Sequence, residues 1–347
     1  LNSPITGLSI SAPTTQAQVS SGSCPTRDAL ALVLRSLTAS AYRFTTTTPL
    51  THERVLKNRS ARLATTLLDV FGWNVPFEPG VLSPTILAAM DRAKVLQPYG
   101  KLQRSAVRVA SLGEDLFLHS SFPTNDDAAV FFGPDTYRFV RFINESLDAR
   151  TRAATCMKDR SGPLRILDVG CGSGAGGIAA VRRISPIGSM SELVMNDVNP
   201  LALLYTAVNA EVAGVPVLLA PGDALSAVEG DFDLIVSNPP YMADVAHRAY
   251  RDGGDQMGSA LSLRIAKEAL SRLAPGGELI LYTGVAMIDG VDPFLSELTP
   301  ALTSADCEWA YSEIDPDVFG EELELPAYAH VDRIAAVGLH VLDTRGF

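Results

Sequence analysis

The sequence predicts an α/β protein: an open parallel sheet covered by helices on both faces, preceded by a smaller, mainly helical accessory domain. Three observations predict it. From about residue 150 onward, strand-like apolar runs alternate with helical stretches, the signature of a parallel sheet. The first of these runs, Leu164 to Val169, empties into Gly170-Cys171-Gly172-Ser173-Gly174. The runs that follow end in Asp197, in Gly222-Asp223 and in Asn238. Polar residues at successive strand ends mark the edge where open parallel sheets bind ligands.

The elements follow in order. Thr26 to Leu37 reads as a helix with Thr26 as its N-cap. Arg43 to Leu50 is a loop holding four consecutive threonines. Thr51 to Phe71 reads as a second helix, with Val55, Leu63, Leu67, Leu68 and Phe71 on one face. Ser83-Pro84 is a cap followed by proline at the first helical position, opening a third helix to about Leu96. Val107 to Leu112 and Asp115 to Ser120 flank Gly113-Glu114 as a hairpin. Asp135 to Leu147 is helical. After the glycine turn a helix runs to Arg183. Strands are expected at Leu193–Asn196, Val215–Ala220, Phe232–Ser237, Glu278–Tyr282, Glu308–Ile314 and Arg333–Leu342. Helices are expected at Leu201–Ala213, stopped by Gly214, and at Ser259–Leu273. The organisation reads as a flexible segment over 1–23, an accessory, substrate-capping domain over 24–125 with a hairpin near 106–120, and the α/β domain over 126–347.

Composition narrows the function. Of 347 residues, 28 are Lys or Arg and 39 Asp or Glu, a formal charge of −11. The 47 % apolar content builds a large core and excludes a disordered chain. No apolar run approaches membrane-spanning length, and the first 23 residues lack a signal-peptide pattern, so a cytoplasmic location is expected. Cys24, Cys156, Cys171 and Cys307 show no paired spacing and read as free thiols. The histidines lack metal-ligand spacing, so no metal is expected. The acidic balance and the dispersed Lys and Arg of the accessory domain make nucleic acid an unlikely partner.

The glycine turn carries chemistry because glycine tolerates φ > 0 and lets a ligand approach the backbone. Gly172, Gly174 and Gly177 also fit a dinucleotide-type G-x-G-x-x-G. Asp168, two residues before Gly170, argues against a pyrophosphate and for a cationic ligand head. Asp197 suits a ribose diol, and Asp223 an adenine amino group. In Asn238-Pro239-Pro240-Tyr241 two prolines fix φ. The Asn238 carboxamide and the Pro239 carbonyl then converge as two acceptors for one NH₂ group, and Tyr241 offers a ring to a planar substrate or a cation. Arg248 to Asp255 suits a pocket lid.

On the residues Ile166 to Gly174, Asp197 and Asn238 to Tyr241, the chain resembles the class I S-adenosylmethionine (SAM)-dependent methyltransferases, over roughly residues 130 to 345. Within them it resembles the nitrogen-methylating branch. Phe132-Gly133-Pro134-Asp135-Thr136 is similar to the segment before the glycine turn in the glutamine-modifying members. The resemblance implies a Rossmann-like sheet of about seven strands, the last antiparallel. It implies SAM beside Asp168, Gly170, Gly172, Gly174, Asp197, Val198, Asp223, Ala224 and Asn238, with Asn238, Pro239 and Tyr241 catalytic. The first reading of the activity is N-methyl transfer to a small molecule. The second is azetidine-2-carboxylate synthesis, in which the α-amine of SAM, as sole substrate, attacks its own γ-carbon and releases methylthioadenosine. Protein glutamine or nucleic-acid N-methylation, and a non-catalytic SAM-binding scaffold, are the lesser readings. No membrane contact is expected, and no protein partner is identified.

Overall fold

The computed structural model describes residues 24–59, 63–124, 126–153, 162–184, 191–244, 248 and 250–345. The expectations for 1–23, Cys156 and His247 lie outside them.

Helix α1 (Pro25–Ala39) begins on a proline, so Cys24 rather than Thr26 is its N-cap, and Thr26 lies inside the first turn. The expected helix from Thr51 to Phe71 is two separate pieces. Helix α2 (Pro49–Asn58) starts at the Thr48 hydroxyl, which accepts the Thr51 N–H, and its chain turns extended at Arg59. The second piece is a single π-turn, Leu68–Gly72. The reason is local competition for backbone donors. The Asp69 carboxylate accepts the N–H groups of Thr65 and Thr66 at 3.2 and 3.1 Å, which fixes a turn where the helix would have continued. Helix α3 (Pro84–Arg92) opens as expected, with Ser83 accepting the Ile86 N–H.

Two hairpins follow, β1 (Leu96–Tyr99) with β2 (Leu102–Ser105) and β3 (Val107–Leu112) with β4 (Asp115–Ser120). The first was not legible: its strands are largely unburied and one carries Pro98, so no alternation marks them.

The α/β part contains α4 (Pro134–Ala153), β5 (Leu164–Val169), α5 (Ala175–Ile184), β6 (Ser191–Asp197), α6 (Pro200–Ala213), β7 (Leu218–Pro221), β8 (Phe232–Ser237), α7 (Ala260–Leu270), β9 (Leu273–Met287), α8 (Pro293–Ser304), β10 (Cys307–Asp315) and β11 (Arg333–Asp343). The sheet has seven strands in the order β10-β11-β9-β8-β5-β6-β7. β5 to β9 run parallel, and β11, last in the chain, is antiparallel to both its neighbours. This is the Rossmann-like α/β architecture. The chain leaves β5 toward β6 and β7, then returns to its other side as β8. That reversal opens the crevice beyond the carboxyl end of β5.

The accessory elements share one core with the α/β part. Leu30, Val33 and Leu34 of α1 pack in the same cluster as Ala202, Tyr205 and Val208 of α6. The Asn209 side chain pairs with both backbone groups of Leu118 in β4. Arg27 and Arg35 of α1 both reach Glu211, at 2.8 and 2.7 Å. Helix α6, capped by Asn199 and ended by Gly214 in the left-handed conformation, thus serves both parts. No helix among the described residues is long and apolar enough to cross a membrane.

Candidate functional site

The carboxyl ends of β5, β6, β7 and β8 open into one cavity of about 490 Å³. The glycine turn forms its floor. Gly170, Gly172 and Gly174 have φ of +68°, +55° and +82°, so the turn needs left-handed backbone at three places within five residues. A Cβ on Gly170 or Gly172 would meet no atom within 4 Å, so both face open space. The turn is held from behind by α6: the Thr206 hydroxyl donates to the Gly172 carbonyl at 3.0 Å, and the Asn209 amide to Ser173 at 2.9 Å.

Asp197 ends β6 on the cavity wall. Its Oδ2 accepts the Gly172 N–H and its Oδ1 the Asn199 N–H, both at 2.9 Å. Each oxygen keeps lone-pair capacity for a ligand hydroxyl. Burial pushes its carboxyl pKa up, against the backbone N–H groups, which pull it down. Val198 beside it is 56 % exposed at the cavity mouth. Asn238 follows β8 and lines the same cavity. Among the described residues its carboxamide is engaged by no other side chain. Ser237, one residue earlier, donates to the Val169 carbonyl at 2.9 Å and locks the ends of β8 and β5 together.

Nine of the sequence-derived residues therefore line one cavity: Gly170, Gly172, Asp197, Val198, Asp223, Ala224, Asn238, Pro239 and Tyr241. Gly174 and Asp168 do not. Gly174 turns toward Thr206, which a Cβ would meet at 3.1 Å. Asp168 is 2 % exposed beneath the turn, where its Oδ2 accepts the Gly177 N–H at 2.7 Å. The expected contact of Asp168 with a cationic ligand head is thus replaced by a contact with the first turn of α5, whose N–H groups and dipole attract a carboxylate.

Burial raises the Asp168 pKa from 3.8 to about 7, against the Gly177 hydrogen bond, with the Asp197 charge adding to the rise. A carboxyl raised on folding stabilises the protein below its unfolded pKa, and that contribution is lost as pH rises through about 7. Urea unfolding of wild type and Asp168→Asn at about pH 5 and about pH 8 tests this, with wild type expected to lose up to about 2 kcal/mol relative to the variant. Equal pH dependence in the two proteins would remove Asp168 from the account.

Two further side chains sit differently from expectation. Asp223 lines the cavity, but both its oxygens are taken by Arg264, at 2.6 and 3.0 Å, so an adenine amino group would have to share them. Tyr241 is 8 % exposed. Its hydroxyl donates to Asp135, and its ring lies against Gly284, where a Cβ would meet ring carbons at 2.3 and 2.4 Å. The free stacking ring that the sequence suggested is therefore a fixed wall.

Other cavity residues were missed. Pro49, Leu50 and Glu53 come from the first turns of α2, Asp135 from the first turn of α4, and Phe319, Glu321 and Glu322 from the segment before β11. Only the Phe132 to Thr136 segment carried a signal in the sequence. Part of the expected lid, Tyr250 and Arg251, lines the cavity. Arg251 pairs with Glu322, while Tyr250 stacks on Phe131 with centroids 6.2 Å apart.

Residues 142–287 match the family model described as "Methyltransferase small domain". The release factor glutamine methyltransferase of Deinococcus radiodurans is 32 % identical over 173 residues, 46 % of this chain and 55 % of that protein. The ribosomal RNA small subunit methyltransferase C of Pasteurella multocida is 33 % identical over 138 residues, 40 % of this chain and 38 % of that protein. The chain spans about half the length of the curated relatives it matches first. Among solved structures, Trm5b from Pyrococcus abyssi aligns with a TM-score of 0.44 at 14 % identity, over 75 % of this chain and 68 % of that one.

The matched residues, 142–287, hold β5 to β9 and with them the glycine turn, Asp197, Asp223 and Asn238. The matches also overturn one expectation. The relatives are named for a protein, the release factor, and for ribosomal RNA. A small molecule as substrate, with nucleic acid unlikely, does not stand against them; the charge argument failed because net charge describes the whole surface and not the site.

Proposed function

We propose that this protein is a SAM-dependent N-methyltransferase whose acceptor is the side-chain amide of a protein glutamine. The observation that carries the reading is the Asn238 carboxamide at the end of β8, engaged by no other side chain among the described residues and lining the same cavity as Asp197. The cavity suits the cofactor. Its volume falls within the ordinary range for small-ligand sites, its glycine turn leaves open space where side chains would project, and Asp197 keeps acceptor capacity for a ribose diol. SAM, when bound, supplies an electrophilic methyl group. The chain's own part is orientation: the Asn238 carboxamide oxygen and the Pro239 carbonyl accept both N–H groups of one amide and hold its nitrogen in a fixed plane. The names of the relatives support an acceptor on a macromolecule, and Asp135 lies in the segment that resembles the glutamine-modifying members.

The test is incubation with methyl-labelled SAM and either a glutamine-bearing release-factor domain or ribosomal RNA. Label on the glutamine amide is the expected result. Label confined to the RNA would keep the N-methyltransferase and replace its acceptor. Label on neither would overturn the reading.

A further inference from the structure

We propose that Asp135 is a positioning residue for the acceptor site: it fixes Tyr241, and through Tyr241 the Asn238–Pro240 loop, in the geometry that presents the acceptor nitrogen. The inference rests on the proposed N-methyl transfer, and it concerns a residue that no strand-end motif contains.

Asp135 lies in the first turn of α4, is 5 % exposed and borders the cavity. Three donors converge on it from three parts of the fold. The Tyr241 hydroxyl donates to Oδ2, the Tyr282 hydroxyl of β9 donates to Oδ1 at 2.8 Å, and Arg138 Nη1 donates to Oδ1 at 2.9 Å. Arg138 in turn pairs with Asp315 of β10 at 2.8 Å. A buried carboxylate needs this many partners, and the N-terminal turn of α4 adds a favourable dipole.

The consequence falls on Tyr241. Burial, and next the Asp135 charge, hold its hydroxyl well above the ordinary tyrosine pKa, so it stays protonated and can only donate to that partner. Its ring is seated on Gly284 and meets Phe319 edge-on at 6.1 Å. Its backbone is equally confined: Met242 exchanges hydrogen bonds with Arg251 and Gly253 at 3.0 and 2.9 Å, and Gly258 approaches too closely for any Cβ. Tyr241 follows Pro240 directly, and both prolines have fixed φ. A tyrosine anchored at its hydroxyl, ring and backbone thus transmits its position to Pro239 and Asn238. Displacements of about 1 Å in a reacting pair cost about a hundredfold in rate, so such an anchor governs turnover without touching the substrate.

Asp135→Asn keeps the volume but loses the charge and turns an NH₂ group toward one of the three donors. The expected result is a kcat lower by about ten- to a hundredfold, with SAM affinity within about threefold of wild type. Tyr241→Phe is expected to show a similar loss, and the double variant no more than the larger single one. Amide hydrogen exchange in residues 238–244 is expected to rise about tenfold in Asp135→Asn, with β5 and β6 unchanged. A purely structural role would lower stability without lowering kcat at saturating SAM; that outcome, additive losses, or unchanged exchange in 238–244 would overturn the proposal. The exchange measurement needs no turnover, so it still decides on Asp135 if wild type transfers no methyl group and the functional reading itself fails.

Discussion

Asn238→Ala is expected to lower the rate of methyl transfer by about 10²–10³-fold while leaving the dissociation constant of SAM within about threefold of wild type. The separation follows from where the side chain stands. Asn238 borders the cavity at the end of β8, whereas the glycine turn and Asp197 belong to β5 and β6. Removing the carboxamide deletes an acceptor for the nitrogen's N–H and leaves the cofactor floor intact. It also costs little in folding, because the carboxamide is engaged by no other side chain among the described residues. Steady-state kinetics at saturating SAM, paired with calorimetric titration of SAM, reads both quantities. Full activity in the variant would take the acceptor role from Asn238, and a parallel collapse of SAM affinity would reassign it to cofactor binding.

Asp197→Ala is expected to do the reverse, weakening SAM binding by about 10²–10⁴-fold. Hydrogen bonds to a charged acceptor are each worth about 1.5–3 kcal/mol, and a ribose diol makes two. The substitution also strands the Gly172 and Asn199 N–H groups, which the carboxylate now holds at 2.9 Å each. The glycine turn then loses one tie to β6 and keeps the Cys171 N–H bond to the Asn196 carbonyl at 2.9 Å. Asp197→Asn retains one acceptor and is expected to lose about tenfold. Because burial raises the Asp197 pKa, SAM affinity in wild type should fall as the solution is acidified and the carboxylate protonates, and this dependence should be absent in Asp197→Ala. Calorimetry across pH checks both. Unchanged affinity in the alanine variant would end the ribose assignment.

Much of the fold was legible because the α/β part writes itself in local signals. Val169 into Gly170, Ser83-Pro84 at the start of one helix and Gly214 at the end of another are strand-end and capping chemistry that short windows contain. The strand ends placed nine residues around one cavity because a parallel sheet aligns its carboxyl edges by topology alone. What stayed hidden was set by tertiary contact. Asp168 looks like a ligand group in one dimension, yet its direction is decided by the Gly177 N–H nine residues later. Tyr241 looks like a free ring, yet Asp135 captures it from 106 positions away. Pro49, Leu50 and Glu53 reach the cavity on α2, whose one buried residue, His52, meets the Trp73 carbonyl at 3.1 Å, a contact no motif encodes. The helix expected over Thr51 to Phe71 failed because apolar spacing was weighed without the competing claim of Asp69 on the Thr65 and Thr66 N–H groups.

The most direct test of the central claim, that this cavity transfers the methyl group of SAM to an acceptor nitrogen, is the identity of the nucleoside product. Wild-type protein is incubated with methyl-labelled SAM and the release-factor domain, and the products are resolved by mass spectrometry. The account predicts S-adenosylhomocysteine in equal amount to labelled glutamine amide, with both lost in Asn238→Ala. Methylthioadenosine that keeps the label and forms without any acceptor would contradict it, because the methyl group would then never have left the sulfur.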